Sequence, residues 1–283
     1  MTAGRLRVGG AELAWERAGS GPAVVLVHGS GDNHRSWDAV APALAETHTV
    51  IRYDRRGHSR SSAPPGQGSI REDAADLLTV VDELAGGSAH LVGHSYGGSV
   101  VLLAAAHRPT AARSLLVHEP PLFALVDEGT RAEAGRWMRQ AADLLEAGDA
   151  EAGARTFVDH VGFGPGSWAE LFDDDLRATA VANAHTWLDQ HRDPDRLAVD
   201  PSALAGSGVP VTVTTGTATP PTYRAVVAAL REKLPGAAVA RVQGAGHAPH
   251  LSHPEAYVNL LRARLRDDRR SRVLPGRDRG QGS

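Results

Sequence analysis

Val92-Gly93-His94-Ser95-Tyr96-Gly97-Gly98 sets one hydroxyl between glycines two residues before it and two residues after it. The flanks explain the arrangement. Upstream, Ala89-His90-Leu91-Val92 suits a short buried strand; downstream, Ser99-Val100-Val101-Leu102-Leu103-Ala104-Ala105-Ala106 suits a helix laid on a sheet. The chain must turn sharply between them. Without Cβ atoms, Gly93 and Gly97 let strand and helix close on each other, and Ser95 can be held in a strained conformation with its Oγ above the sheet. A helix starting at once beyond it aims unpaired N–H groups and the positive end of its dipole at that hydroxyl. G-x-S-x-G in a strand-turn-helix setting is the pattern of a nucleophile elbow. The plainer reading is a glycine-rich turn whose serine only caps the helix.

Outward from this turn, short apolar runs alternate with helix-like stretches. The runs are Ala23 to Val27, Thr49 to Tyr53, His90 to Val92, Ser114 to Val117, Val209 to Thr215 and Val239 to Val242. Such alternation predicts an α/β fold, a mostly parallel central sheet with helices on both faces. Glu12-Leu13-Ala14-Trp15-Glu16-Arg17 alternates in and out, as an antiparallel edge strand would. In sheets of this kind ligands sit beyond the carboxyl ends of the strands, so chemistry is expected in the loops that follow the runs.

The rhythm changes between residues 122 and 200, where three helices are expected. One carries Trp137, Met138, Ala141, Leu144 and Leu145 on a single face. A second follows the N-cap candidate Asp149. The third opens with the capping-box pattern Ser167-Trp168-Ala169-Glu170 and runs toward Trp187 and Leu188. This segment reads as a helical cap inserted into a core formed by residues 1–121 and 201–266. Trp137, Trp168 and Trp187 fit the cap's own core or the wall of an apolar pocket. Residues 267–283, charged and glycine-rich, are expected to be disordered.

Composition excludes several classes. Hydrophobic residues at 42% and charged residues at 22% belong to a globular domain, and a net charge of −3 gives no field to gather nucleic acid or an anionic membrane. No stretch approaches the length of a membrane span and no secretory signal precedes the first strand, so a cytoplasmic protein is expected. The absence of cysteine removes disulfides, thiolate nucleophiles and cysteine-bound metals. Neither a cofactor nor a metal is implied. Nothing in the chain reveals its oligomeric state.

A serine hydroxyl needs a base, and fourteen histidines are available. His247, in Gln243-Gly244-Ala245-Gly246-His247-Ala248-Pro249, follows the last strand candidate, and its loop precedes a helix opening at Ser252-His253-Pro254-Glu255. That places an imidazole at a strand exit on the same sheet edge as Ser95, with His250 as its nearest competitor. Attack on a carbonyl also needs preorganised N–H donors. Tyr96 N–H, at the helix start, is one. Ser30 N–H, in the loop His28-Gly29-Ser30-Gly31 after the Ala23–Val27 run, is the other.

The H-G-S-G loop, Asp54-Arg55-Arg56-Gly57-His58-Ser59, G-H-S-Y-G-G and the late G-A-G-H, in this order over residues 10 to 265, together resemble the α/β-hydrolase fold superfamily. The resemblance implies a helical cap at the observed place and a structural role for Asp54 and Arg56. The chain departs from the pattern at the acid, where Thr219 stands in the place of the usual aspartate. Some relatives carry the acid one strand earlier. Val117-His118-Glu119-Pro120-Pro121 offers Glu119 there, held extended by the following proline, with Asp200 a weaker substitute. The resulting expectation is a cofactor-free serine hydrolase acting on a small, apolar, uncharged ester, lactone or thioester through an acyl-enzyme on Ser95. A C–C bond hydrolase, lyase or cyclase, or a ligand-binding protein without turnover, would use the same fold. Relatives that break carbon–halogen bonds or epoxides use an aspartate where this chain has Ser95.

Overall fold

The computed structural model describes residues 1–267; the expected disorder of the C-terminal tail falls, beyond Asp267, outside the described residues. Eight strands form one sheet: β1 (Thr2–Val8), β2 (Ala11–Ala18), β3 (Ala23–Val27), β4 (Thr49–Tyr53), β5 (Ala89–His94), β6 (Ala112–His118), β7 (Val211–Gly216) and β8 (Ala238–Val242). Their spatial order is β1-β2-β4-β3-β5-β6-β7-β8. The β1–β2 and β2–β4 pairings are antiparallel and the other five parallel. Every predicted run is a strand. Residues 12–17 also form one, but β2 is not the edge: β1, whose alternation is diluted by Gly4 and two arginines, pairs outside it.

β3 is buried along its whole length, as its unbroken Ala-Val-Val-Leu-Val requires of a central parallel strand. Its side chains alternate between two cores. Val25 and Val27 join Ile70, Leu77, Val100, Val101 and Val226 on one face; Val24 and Leu26 join Trp37, Leu44, Tyr257 and Leu261 on the other. Helices α1 (Ala41–Ala45), α2 (Ile70–Ala85) and α3 (Tyr96–His107) connect the central strands. Ser69 and Glu72 form a capping box at the start of α2, and Gly86, at φ 72°, ends it in the left-handed conformation.

Between β6 and β7 lie α4 (Glu128–Glu146), α5 (Ala150–Phe157), α6 (Ser167–Glu170), α7 (Asp174–Ala182) and α8 (Ala184–Arg192). Asp149 caps α5 as expected, through Ala152 N–H. The expected third helix is instead three helices. Ser167 does not cap the first; Gly166 occupies that place, and Asp159 accepts from Trp168 N–H. Asp173 starts α7 by accepting from Leu176 N–H. Asn183 separates α7 from α8, and its amide bonds Ser59 N–H, Ser59 Oγ and the Asp32 carbonyl, which fastens the insertion to the sheet. After β7 come α9 (Pro221–Lys233), α10 (Pro249–Ser252) and α11 (Pro254–Asp267). Ser252-His253-Pro254-Glu255 has the spacing of a capping box, but none forms among the described residues; the Ser252 hydroxyl donates back to the Ala248 carbonyl. Among the described residues no helix is long and apolar enough to cross a membrane.

Candidate active site

Ser95 sits between β5 and α3 at φ 52° and ψ −125°, a conformation that L residues rarely adopt. Strand β6 and the first turn of α3 hold it there: Ser95 N–H donates to the His118 carbonyl at 2.8 Å, and its own carbonyl accepts from Gly98 N–H at 2.8 Å. Gly93 permits the turn, since a Cβ on it would lie 2.4 Å from the Gly97 carbonyl oxygen. Ser95 and His247 line the same cavity. No hydrogen bond joins Ser95 Oγ to the His247 ring among the described residues, a looseness common in sites free of substrate.

Glu119 is fully buried at the end of β6. The sequence placed it in extended backbone ahead of Pro120; its φ is instead +44°. That turn brings its carboxylate among four donors. Oε1 accepts from Thr215 Oγ1 at 2.6 Å and Gly216 N–H at 2.9 Å, and Oε2 from Thr219 Oγ1 at 2.6 Å and His247 Nδ1 at 2.8 Å. Burial alone would raise its pKa. The adjacent His118, the His247 contact and the Thr215 hydroxyl outweigh burial and hold it at about 2. Thr219, at the position expected of an aspartate, thus supplies a hydrogen bond to the carboxylate that stands one strand earlier. Asp200 is exposed and caps the turn at Pro201–Leu204 through Ser202, far from this role.

Neither Ser30 N–H nor Tyr96 N–H has a hydrogen-bond partner among the described residues. The loop carrying Ser30 is braced from below. Arg55 donates to the carbonyls of His28 and Gly29 and pairs with Asp73, and the Ser30 hydroxyl donates to Gln190 of α8 at 2.6 Å. Asp54 and Arg56 act as scaffold. Asp54 accepts from His34 and Arg60, and Arg56 pairs with Asp76.

Of the three tryptophans proposed for the pocket, only Trp187 lines the cavity. Trp137 stacks instead on His160, ring centroids 3.8 Å apart, and Trp168 packs with Phe172 in a separate core of the inserted helices. Helix-face periodicity marks both as inward-facing without saying which inside they face. The cavity wall is made instead by Leu145, Phe157, Val158, Phe163 and Phe172, the last two reached through the π turn Val158–Gly162. Tyr223, in the first turn of α9, was not singled out by the sequence. Its ring stacks on His247 at 4.0 Å and 21°, and its phenol, raised far above its ordinary pKa by burial, stays neutral beside Ser95. Its signal was positional only: a first helical turn after a strand end.

Among the described residues, two groups of side chains bring ligand-type atoms within 4.8 Å of one another: His118, Glu119 and His247, and Asp32, His94 and His250. The first contains the hydrogen-bonded pair already described. In the second, His94 Nε2 meets the His247 carbonyl at 2.9 Å, and both rings abut the cavity.

Burial keeps His28, His58, His94, His118 and His250 below their ordinary pKa, His118 at about 4 and His250 at about 3. The unfolded chain therefore takes up these protons at a higher pH than the folded one, and acidification below about pH 6.5 removes stability through them. Asp32 and Asp76, raised by burial to about 7 and about 6, and Asp73, raised likewise, act in the opposite sense. Their folded forms bind protons first as the pH falls. Below about pH 4 these carboxyls are protonated in both states. Glu119 and Asp54, both held at about 2, then join the imidazoles in favouring the unfolded chain. Five imidazoles outnumber three carboxyls, so the urea midpoint should begin to fall below about pH 6.5 and fall more steeply below pH 4, each net proton taken up by the unfolded chain removing about 1.4 kcal/mol of stability per pH unit. A midpoint level from pH 7 to 5 would show that the aspartates offset the histidines in full.

Comparison with known proteins agrees with this architecture. A crystal structure described as an alpha/beta hydrolase from Sphaerobacter thermophilus superposes with a TM-score of 0.77 at 29% identity, covering 91% of this chain and 98% of that one. A hydrolase from Pseudomonas aeruginosa gives 0.77 at 27% identity, covering 93% and 98%. The uncharacterized hydrolase YraK of Bacillus subtilis is 33% identical over 145 residues, 50% of this chain and 51% of its own length. The model of the Alpha/beta hydrolase family matches residues 24–260, and with the elbow, the strand order and the strand-end loops all in place, the chain belongs to that family.

Proposed function

We propose that the chain is a serine hydrolase that cleaves an ester, lactone or thioester through an acyl-enzyme on Ser95. The hydrogen bond between Glu119 Oε2 and His247 Nδ1, at the wall of the cavity that Ser95 shares, is the observation that carries this reading. An ionised carboxylate can only accept, so the proton resides on Nδ1 and Nε2 keeps its lone pair. Nε2 takes the Ser95 proton as Oγ attacks the carbonyl carbon. The oxygen, now anionic, lies against Ser30 and Tyr96 N–H. Collapse breaks the bond to the leaving alcohol or thiol, which receives the proton from His247. Water, deprotonated by the same nitrogen, then attacks the acyl carbon and returns the proton to Ser95 as the acid leaves.

In this reading residues 122–200 form a cap over a core of residues 1–121 and 201–266, and its aromatic wall selects an apolar leaving group. A threonine at 219 in place of the usual aspartate would suit a protein without turnover; the contact of Glu119 with His247 supports the catalytic reading, since the imidazole keeps a carboxylate partner. A fluorophosphonate should add its mass once to the folded protein, on Ser95, and not at all to Ser95→Ala. An unmodified wild-type protein would contradict the assignment.

A further inference from the structure

The cavity over Ser95 has two arms. His247, His250 and Leu251 line the first, with Phe163 and Phe172. Tyr96, Pro121, Phe123, Met138 and Tyr223 line the second, which also meets Arg196. Ser30 and Ser95 face both. His247 borders only the first arm, and Tyr96 only the second.

Arg196 lies in the short turn Pro194–Leu197. Its Nε and one terminal nitrogen point at a single acceptor, the His191 carbonyl, at 3.4 and 3.2 Å. Among the described residues no carboxylate lies within ion-pair distance of it. Arg55 and Arg56, on the same side of the sheet, are buried and paired, with Asp73 and Asp76. Arg196 is half-buried, and burial lowers its pKa against the opposing pull of Tyr96 and of the Asp193 carboxylate, which stands near it without an ion-pair contact. A guanidinium that lines a site with only one carbonyl for an acceptor keeps donors free to pair with an anion brought by a ligand.

We propose that Arg196 receives a carboxylate at the far end of the substrate's acyl chain, so that the site acts on esters or lactones whose acyl part is anionic. This rests on the Ser95 mechanism above. The leaving group takes its proton from His247 and so departs along the first arm. The carbonyl oxygen lies against Ser30 and Tyr96 N–H, and the acyl chain continues into the arm that Tyr96 lines. The proposal replaces the expectation of an uncharged substrate with an apolar leaving group joined to an acyl chain that ends in a carboxylate.

Two chromogenic substrates separate the possibilities: the 4-nitrophenyl monoester of adipic acid and its neutral ω-methyl ester. The wild-type enzyme should favour the anionic ester in kcat/KM. Arg196→Met should reduce the anionic-to-neutral ratio on the order of 10- to 100-fold, chiefly through KM, and Arg196→Lys should restore part of it. An unchanged ratio in Arg196→Met, or a wild-type preference for the neutral ester, would overturn the proposal. Binding gives a reading independent of turnover. Monomethyl adipate should bind Ser95→Ala by calorimetry and lose that binding in Ser95→Ala/Arg196→Met. This loss supports the Arg196 site even if no ester is hydrolysed, and equal affinity for the two proteins overturns it even if esters are.

Discussion

Glu119→Gln should lower kcat by about three to four orders of magnitude while KM stays within a few-fold. The amide can keep the contacts at Oε1, where Thr215 and Gly216 donate. At the other position an NH2 group would face His247 Nδ1, which now donates to Oε2. Two donors cannot share that bond, so the imidazole moves its proton to Nε2 and can no longer take one from Ser95. Because the carboxyl is held at about 2, it is ionised at neutral and mildly acidic pH. Any acid limb in the wild-type rate profile therefore has a source other than Glu119. A rate within tenfold of wild type for Glu119→Gln would remove it from the mechanism.

Thr219 sharpens the test. Its hydroxyl lies 2.6 Å from the oxygen that His247 also contacts. An aspartate at 219 in the Glu119→Gln background would put a carboxylate beside the same imidazole nitrogen. Glu119→Gln/Thr219→Asp should recover at least about tenfold of the lost kcat, a rescue that a purely structural Glu119 would not give.

The parts of this arrangement that sequence reading captured share one property: their chemistry is local. Ser95 with its glycines, the His247 loop and the buried β3 run are written in consecutive residues, so spacing alone exposes them. Glu119 followed from the resemblance, in which some relatives carry the acid one strand earlier, and the structure brings its carboxylate to the His247 ring. Two threonines and one backbone N–H from the β7 end hold the Glu119 carboxylate. The errors are tertiary. Trp137, Trp168 and Trp187 carry the same helical signal, yet one faces the cavity and two face other packing surfaces. Tyr223 and Arg196 reach the cavity from elements whose approach to Ser95 is fixed by docking, which no periodicity encodes. β1 escaped notice because an exposed edge strand needs no apolar stripe.

Gly97→Ala should destabilise the protein by about 3 kcal/mol or more and lower kcat of the fraction that folds by about 100-fold or more. A Cβ at this position would lie 2.4 Å from the Val27 carbonyl oxygen, 2.5 Å from that of His28 and 2.9 Å from the Val27 carbonyl carbon. All three are backbone atoms at the end of β3, a strand buried along its length and paired on both sides, so no side chain can swing aside. Relief requires α3 to move away from the sheet by most of an ångström. Tyr96 N–H opens that helix and Ser95 immediately precedes it, so the same movement displaces both the nucleophile and an oxyanion donor of the proposed mechanism. Gly236→Ala is the matched control: an added Cβ there meets nothing within 4 Å, and the change should stay within about 0.5 kcal/mol. Urea unfolding of the two variants, read beside their turnover, decides the matter. If Gly97→Ala unfolds with the wild-type midpoint, the contact between elbow and strand is not what shapes this turn.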